Sequence, residues 1–402
     1  MSDNNNNNNK LIRWESLPSE IATDIFLRLP IKSIIICTSV SKPWKSQIQN
    51  PTFISTHLHQ SRNKNKNLLV FSLYSHTHKE SYALHNEDDP DFTQLARFDY
   101  PFHVPFLHSP NGIYRVVGTC NGLFCLSDDK LTYSDRLCLW NPCVRKLVYL
   151  PFPNVTYATH GGFDATIGFG FDPKTNDYKV VRLVTLLDSF DLEHSRTVAE
   201  IYSLSTGEWR MLDASLVPKC ALSRREPQAF VNGALHWVAF RRADDDDNSL
   251  QHFVLVFDLG NEVFREILVP ELPDYTSKFV GLLSVSVSTY GNSIALFQNG
   301  YFSLVKGCQT GDFYLWVMEE YGVASSWTKV LKIGEGIPRP IGFKRNGEEV
   351  VLLSYDGQLV SWVPWSNEFK HLEIIGYEDT FVDYYVESLV LLDKVANGTV
   401  TY

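Results

Sequence analysis

The chain has 402 residues, of which 44% are hydrophobic and 20% charged, and its formal net charge is −10. That length permits a substantial core and more than one structural unit, with the apolar share of a globular protein. The acidic balance, without any cluster of Lys and Arg, argues against a nucleic-acid binder, because phosphate contacts need basic patches.

The chain opens on MSDNNNNNNK, a polar run with nothing to bury, so residues 1–10 are expected to be a disordered tail. It has no apolar signal core, and no later segment approaches the roughly eighteen apolar residues that a membrane helix requires. The expected location is the cytosol or nucleus, where the sequons at Asn154 and Asn397 would not be glycosylated. Seven cysteines, an odd number, suit reduced thiols better than a disulfide framework.

Residues 11–60 read as short helices. Between Leu17 and Leu29 the positions Ile21, Ile25 and Leu29, flanked by Ala22 and Phe26, recur at helical spacing, with Pro18 in the first turn and Pro30 ending the run. A second helix starts near Ile31 and carries Ile34 and Ile35. Ser41 is placed as the N-cap of a third, with Pro43 just inside it and Trp44 and Ile48 four apart. Asn50-Pro51 separates it from a last short helix through Leu58. Of residues 11–60, 21 are apolar, more than so small a bundle can cover, so some should seek a partner. Residues 1–60 also hold six bases (Lys10, Arg13, Arg28, Lys32, Lys42, Lys45) against four acids (Asp3, Glu15, Glu20, Asp24). That is a net of +2, which leaves −12 on the remainder and makes the basic head suited to an acidic protein partner.

The polar segment SRNKNKN (residues 61–67) reads as a linker. Beyond it a unit recurs: an aliphatic strand, a tight polar turn and a second strand. It is found at Leu137–Pro151, Ala199–Leu212, Phe253–Pro270, Phe313–Ile333 and Leu359–Ile374, with hairpin signals at Asn121-Gly122, Asn232-Gly233, Gly291-Asn292 and Asp356-Gly357. The 25 Phe, 19 Tyr and 9 Trp suit pleated surfaces. Four strands every 45 to 60 residues describe propeller blades, about six of them in residues 68–395, followed by a tail at 396–402. A sandwich or stacked barrels is the alternative. Tyr384–Leu392 is expected to pair beside Asn67–Tyr74 and close the ring.

The fold class is therefore α+β and multidomain: a small N-terminal helical unit, then a large all-β, six-bladed propeller-like domain. The helical segments LPSEIATDIFLRLPIKSI (Leu17–Ile34) and VSKPWKSQIQNPTFI (Val40–Ile54) resemble the F-box, which docks substrate receptors on a Skp-type adaptor of cullin-RING ubiquitin ligases. GTCNGLFCLSD (Gly118–Asp128), LWNPCVRKLVYLP, GFGFDPKTNDYKVVRL (Gly168–Leu183), VNGALHWVA (Val231–Ala239), VFDLGNEVF and YVESLVLL resemble the plant F-box-associated domain, a kelch-like propeller type. Standard kelch and WD repeats, with their Gly-Gly and Trp-Asp pairs, fit less well. The resemblance implies an adaptor face made of Leu17, Pro18, Leu29, Pro30, Ile31, Lys32, Ile34, Ile35 and Lys42, with Trp44 and Val40 packing the unit itself. It also departs from the pattern: Ile36 and Cys37 stand where such boxes carry a basic residue and an aromatic, and Pro43 replaces a small polar residue.

On this reading the partners are the adaptor, cullin and RING subunits through it, and a target protein held by the β-domain. Burying the five aliphatic side chains of that face, at about 1.5–3 kcal/mol each, yields roughly 7–15 kcal/mol against an association cost of about 4–15 kcal/mol, so a wider contact is needed. Chemistry within the chain has little support. No nucleophile elbow, H-E-x-x-H pair or phosphate-cradling glycine loop is present, and no cofactor is expected. Cys120/Cys125 and Cys138/Cys143 are better core cysteines than zinc ligands, and His76, His78, Asp99 and His103 better solvated residues than metal ligands. Asp244–Asp247 reads as a solvated loop, and Trp237, Tyr301, Trp316 and Tyr355 as blade core before recognition face. A lectin-like or small-ligand-binding β-domain and, further off, a propeller enzyme are the competing functions.

Overall fold

In the computed structural model of the chain, the described residues are 17–64, 68–74, 80–89, 91–99, 114–128, 136–186, 196–222, 228–243, 246–270, 284–299, 302–303, 308–309, 313–333, 339–345, 347–354, 356–377 and 380–391. Four helices come first: α1 (Ser19–Arg28), α2 (Ile31–Cys37), α3 (Lys42–Ile48) and α4 (Pro51–Lys64). Pro18 and Pro30 are the N-caps of α1 and α2, and the carbonyl of each accepts two N–H groups of the first turn. Their fixed φ and missing N–H cost nothing there. Ser41 caps α3 as expected, its Oγ accepting the Trp44 N–H at 3.3 Å.

Two expectations need correction in this region. The inner face of α1 is Ala22, Phe26 and Leu27, while Ile21 is half exposed, so the apolar stripe is turned by about one residue from the Ile21/Ile25/Leu29 face. And α4 runs on through Ser61–Lys64, so most of the expected linker is helix; Ser61 is buried, and Arg62 donates to Asn121 Oδ1 from both Nε and Nη2. A polar composition reads as linker until a tertiary surface holds it.

The rest is a ring of six blades. Blade one has β1 (Leu68–Tyr74), β2 (Glu80–Asn86) and β3 (Gln94–Asp99); blade two has β4 (Arg115–Cys120), β5 (Leu123–Ser127), β6 (Leu137–Asn141) and β7 (Lys146–Tyr149). After a one-turn helix, α5 (Tyr157–His160), blade three has β8 (Phe163–Asp172), β9 (Asp177–Leu186), β10 (Arg196–Ser203) and β11 (Glu208–Met211). Blade four comprises β12 (Ala221–Leu222), β13 (Ala229–Val231), β14 (Ala234–Ala243), β15 (Asp246–Asp258) and β16 (Val263–Leu268). Blade five has β17 (Ser284–Tyr290), β18 (Ser293–Asn299), a small hairpin of β19 (Phe302–Ser303) with β20 (Cys308–Gln309), then β21 (Phe313–Met318) and β22 (Trp327–Ile333). Blade six has β23 (Arg339–Phe343), β24 (Val350–Leu353), β25 (Gln358–Val363) and β26 (Glu368–Ile375).

All pairings are antiparallel, and the five recurring sequence units are the outer strand pairs of blades two to six. The hairpin signals at Asn121-Gly122 and Asn232-Gly233 have positive φ at both residues and join the inner pairs of blades two and four. Closure comes from β27 (Val382–Tyr384), which pairs with β1 as Leu69↔Tyr384, Val70↔Asp383 and Phe71↔Val382. The expectation of a long closing strand from Tyr384 is corrected to these three residues; Tyr385 N–H still donates to Leu68 O at 2.8 Å, and 386–391 leave the sheet.

The ring is held between blades. Apolar clusters lie between one and two (Val70, Tyr82, Phe124, Trp140), three and four (Val181, Trp237, Phe253), four and five (Val254, Leu296, Met318), five and six (Phe297, Phe343, Trp362) and six and one (Phe71, Val351, Leu372). Two indoles add polar staples: Trp209 Nε1–H donates to Pro151 O at 2.8 Å and Trp327 Nε1–H to Leu268 O at 2.9 Å, each reaching the end of the preceding blade's outer strand. The cluster between blades two and three is different, because it continues into the helical unit: Cys125, Leu139, Phe169 and Tyr178 are contiguous with Phe26, Ile31, Ile34, Ile48 and Phe53.

Candidate functional site

Strand direction decides which face of the ring carries what. In blades two to six the first-to-second and third-to-fourth connections lie on one face, which is where Asn121 and the Cys143–Val144 turn meet the helical unit. These turns are short. The opposite face receives the ends of strands two and four, joined by the longer connections, such as 150–162 and 212–220. Loops there present side chains on a rigid scaffold. On the first of them Val155 is fully buried and its carbonyl accepts Arg182 Nη1, while the Asn154 N–H donates to Glu200 Oε2 at 2.8 Å.

On the helical unit, the interior is filled by Phe26, edge-on to Trp44 at 5.2 Å and to Phe53 at 6.4 Å between ring centres. Gln47 ties α3 to α1 through Ser19 O and Thr23 Oγ1. Where α4 reaches the ring, burial lowers the His57 pKa to about 4, with Lys64 adding to the effect. Its Nδ1 lies 3.5 Å from Ser61 Oγ.

The residues expected on the adaptor face divide into two sets. Pro18, Pro30, Lys32 and Lys42 are exposed, and Leu17, Leu29 and Ile35 are half-buried, so all seven reach the surface. Ile31 and Ile34 do not: Ile34 is 0% exposed and Ile31 nearly so, both inside the cluster shared with the ring. They are corrected from contact residues to supports beneath the surface, since α2 needs one apolar side for its own chain. In their place stand aliphatics that the sequence pattern does not assign outward: Ile36 at 66%, Val40 at 60% and Ile21 at 50% exposure. Val40 therefore does not pack the unit as expected, whereas Trp44 does. Ile36 had a signal, its replacement of the customary basic residue. Ile21 had none, because helical period alone does not say which side its own chain will cover.

The other candidates settle by burial. Trp237 is blade core, donating its indole N–H to Ile167 O, and Trp316 is half-buried with Lys329 Nζ 5.0 Å from its ring centre; Tyr301 and Tyr355 lie outside the described residues. Cys120, Cys125 and Cys138 are buried, and Cys143 shares a hydrogen bond with Tyr385 Oη at 3.2 Å. Burial pushes the Cys120 and Cys143 thiols up to about 12, so both stay protonated. Of the acidic run, Asp246 and Asp247 belong to β15 rather than to a loop, and 244–245 lie outside the described residues, as do His76, His78 and His103. Asp99 ends β3.

Comparison with known proteins matches both units. Residues 14–56 match the F-box domain family and residues 99–390 the F-box associated beta propeller domain family. Among curated proteins of Arabidopsis thaliana, "F-box protein At3g07870" is 28% identical, covering 91% of this chain and 89% of its own length. "F-box protein CPR1" is 26% identical over 94% and 89%, and "F-box/kelch-repeat protein At3g23880" 26% over 79% of each.

Proposed function

This chain belongs to the family of F-box proteins with an F-box associated β-propeller domain, and we propose that it serves there as a substrate receptor of a Skp-cullin-F-box ubiquitin ligase. The helical unit docks on a Skp-type adaptor, which brings the cullin and RING subunits. The ring holds a target protein on the face away from the helical unit. Catalysis belongs to other subunits; this chain supplies proximity and orientation, turning an encounter between ubiquitin-loaded enzyme and target into an effectively intramolecular one. It acts in the cytosol or nucleus.

The observation that carries the adaptor reading is the exposure of Ile21, Ile36 and Val40 on a unit whose interior is already occupied by Phe26, Ile34, Ile48 and Phe53. At roughly 25 cal/mol per Å² of apolar surface removed from water, leaving such side chains exposed forgoes stabilisation that a partner surface would recover. Together with half-buried Leu17, Leu29 and Ile35 they restore the area that Ile31 and Ile34 do not provide. Affinity capture from plant extract, with the intact chain beside a deletion of residues 11–60 and the proteasome blocked, tests both halves. Adaptor and cullin should vanish from the deletion while target proteins stay; a deletion that still brings down cullin refutes the assignment.

A further inference from the structure

We propose that the segment Tyr385–Leu391, after the last strand, is a positioning element that fixes the helical unit's orientation on the ring and so sets where a held target sits relative to the adaptor. This rests on the receptor reading above. Ring closure uses Val382–Tyr384, flanked by Phe381 O accepting the Ser72 N–H and by Tyr385 N–H donating to Leu68 O. Tyr385 still packs in the ring between blades one and two, whereas Leu389–Leu391 are built into the junction with the helical unit.

Asn141, itself fully buried at the end of β6, donates from Nδ2 to Ser388 O at 3.0 Å, Ser388 Oγ at 3.2 Å and Val390 O at 2.8 Å. Gly122, with φ 79°, leaves room for the segment: a Cβ there would overlap Val386 O and lie 2.6 Å from Ser388 Oγ. Tyr385 Oη meets the Cys143 thiol at 3.2 Å, in the β6–β7 turn that packs against the shared cluster. Leu389, Val390 and Leu391 are buried in the same cluster as Ile31, Ile34, Ile48 and Phe53. The segment is thus gripped by blade two through hydrogen bonds and shares its apolar side with the helical unit, a layer between the two. Arg62 to Asn121 is a second tie beside it. Through α2, whose inner residues join this layer while Ile36 and Lys32 face outward, the docking surface and the ring are set at one angle.

The test uses the full chain with donor and acceptor fluorophores placed as unnatural residues at exposed positions 45 and 368. Native chain should give a single narrow transfer-efficiency peak, and the triple variant Leu389→Ser, Val390→Ser, Leu391→Ser a broadened one, with amide exchange across 51–64 rising about tenfold or more and exchange in β9 and β18 unchanged. Should the triple variant lose the ring as well, Asn141→Ala, which removes the grip on Ser388 and Val390 together with the Oδ1 that accepts the Cys143 N–H, is expected to broaden the peak with the ring intact. Adaptor affinity, measured separately with purified Skp-type adaptor, should be unchanged for Asn141→Ala. A narrow native-like peak in Asn141→Ala, with amides 385–391 exchanging freely, would overturn the proposal. Failure of the native chain to bind adaptor would instead remove the receptor reading and leave the coupling result standing.

Discussion

The helical unit and the ring solve the same problem in opposite ways. Each blade buries both faces of its inner strands against its neighbours, and the last strand closes the circle, so large aromatics such as Phe71, Phe253, Phe297 and Trp362 end fully inside. The helical unit is too small for that. It fills one interior with Phe26, Ile34, Ile48 and Phe53, leans its other inner residues on the ring, and leaves Ile21, Ile36 and Val40 in water. Where apolar side chains point is set by how much chain surrounds them; the ring leaves apolar side chains in water too, among them Phe152 at 67% and Trp365 at 64%, but on loops and outer strands around a filled core.

The contrast breaks most sharply at α2, where neighbouring isoleucines have opposite fates. Ile34→Asp places an unpaired charge in the shared cluster and should cost about 4 kcal/mol or more, read as loss of cooperative melting of residues 17–64. The corresponding cost in the ring comes from Trp362→Ala, about 3–5 kcal/mol for a cavity between blades five and six. If Ile34→Asp melts like the native chain, the burial assigned to α2 is wrong.

Acid acts on both regions through buried histidines. His57 and His236 both have pKa values near 4 because burial disfavours the imidazolium. In the unfolded chain each titrates near its ordinary 6.5. Their contribution is therefore fully present above about pH 6.5 and lost as pH falls toward 4, up to about 3 kcal/mol each. In the ring, His236 takes its place between Ala229 O and Tyr321 Oη. The ring also holds Asp383, half-buried with its carboxyl accepting from Thr119 Oγ1 and raised to about 6 by desolvation, which has the opposite sign: folding gains stability as pH falls from 6 toward 4. In the ring Asp383 offsets part of this, but His85 and His252, both lowered by burial, act with His236, whereas nothing among the described residues of the helical unit opposes His57. Melting followed at pH 7 and pH 4.5 should show both regions weakened, and His57→Phe should remove the loss in the helical unit while leaving that of the ring.

Smaller effects sharpen the picture. Trp327→Phe keeps an aromatic ring but leaves Leu268 O without its indole donor and should cost about 1 kcal/mol or somewhat more by denaturant titration. Asp24→Asn breaks an exposed i,i+4 pair with Arg28 and should change stability by less than about 0.5 kcal/mol.

Much of the architecture was legible in the chain itself. Outer strand pairs could be read because turns such as Asn141–Lys146 and Ser203–Glu208 separate strands of contrasting burial, and Asn-Gly fixes the inner hairpins by backbone conformation alone. Blade one's outer pair gave no such signal, since β3 is exposed along much of its length and turns only Ala96 and Phe98 inward. The F-box prolines were legible as helix boundaries through their φ. The fate of Ile31 and Ile34 was not, nor that of Ser61–Lys64, because both depend on the junction with the ring, a surface assembled from residues some sixty to several hundred positions away, Asn121 and Leu389–Leu391 among them.

The central claim is that outward aliphatics on α1, α2 and the turn after it recruit a second polypeptide. Titrating purified Skp-type adaptor into the triple variant Ile21→Glu, Ile36→Glu, Val40→Glu tests it directly. The expected result is native-like melting with affinity weakened about a hundredfold or more, since three exposed side chains cost little in the free chain and about 1 kcal/mol or more each at an apolar interface. A folded variant that binds the adaptor as tightly as the native chain would contradict it.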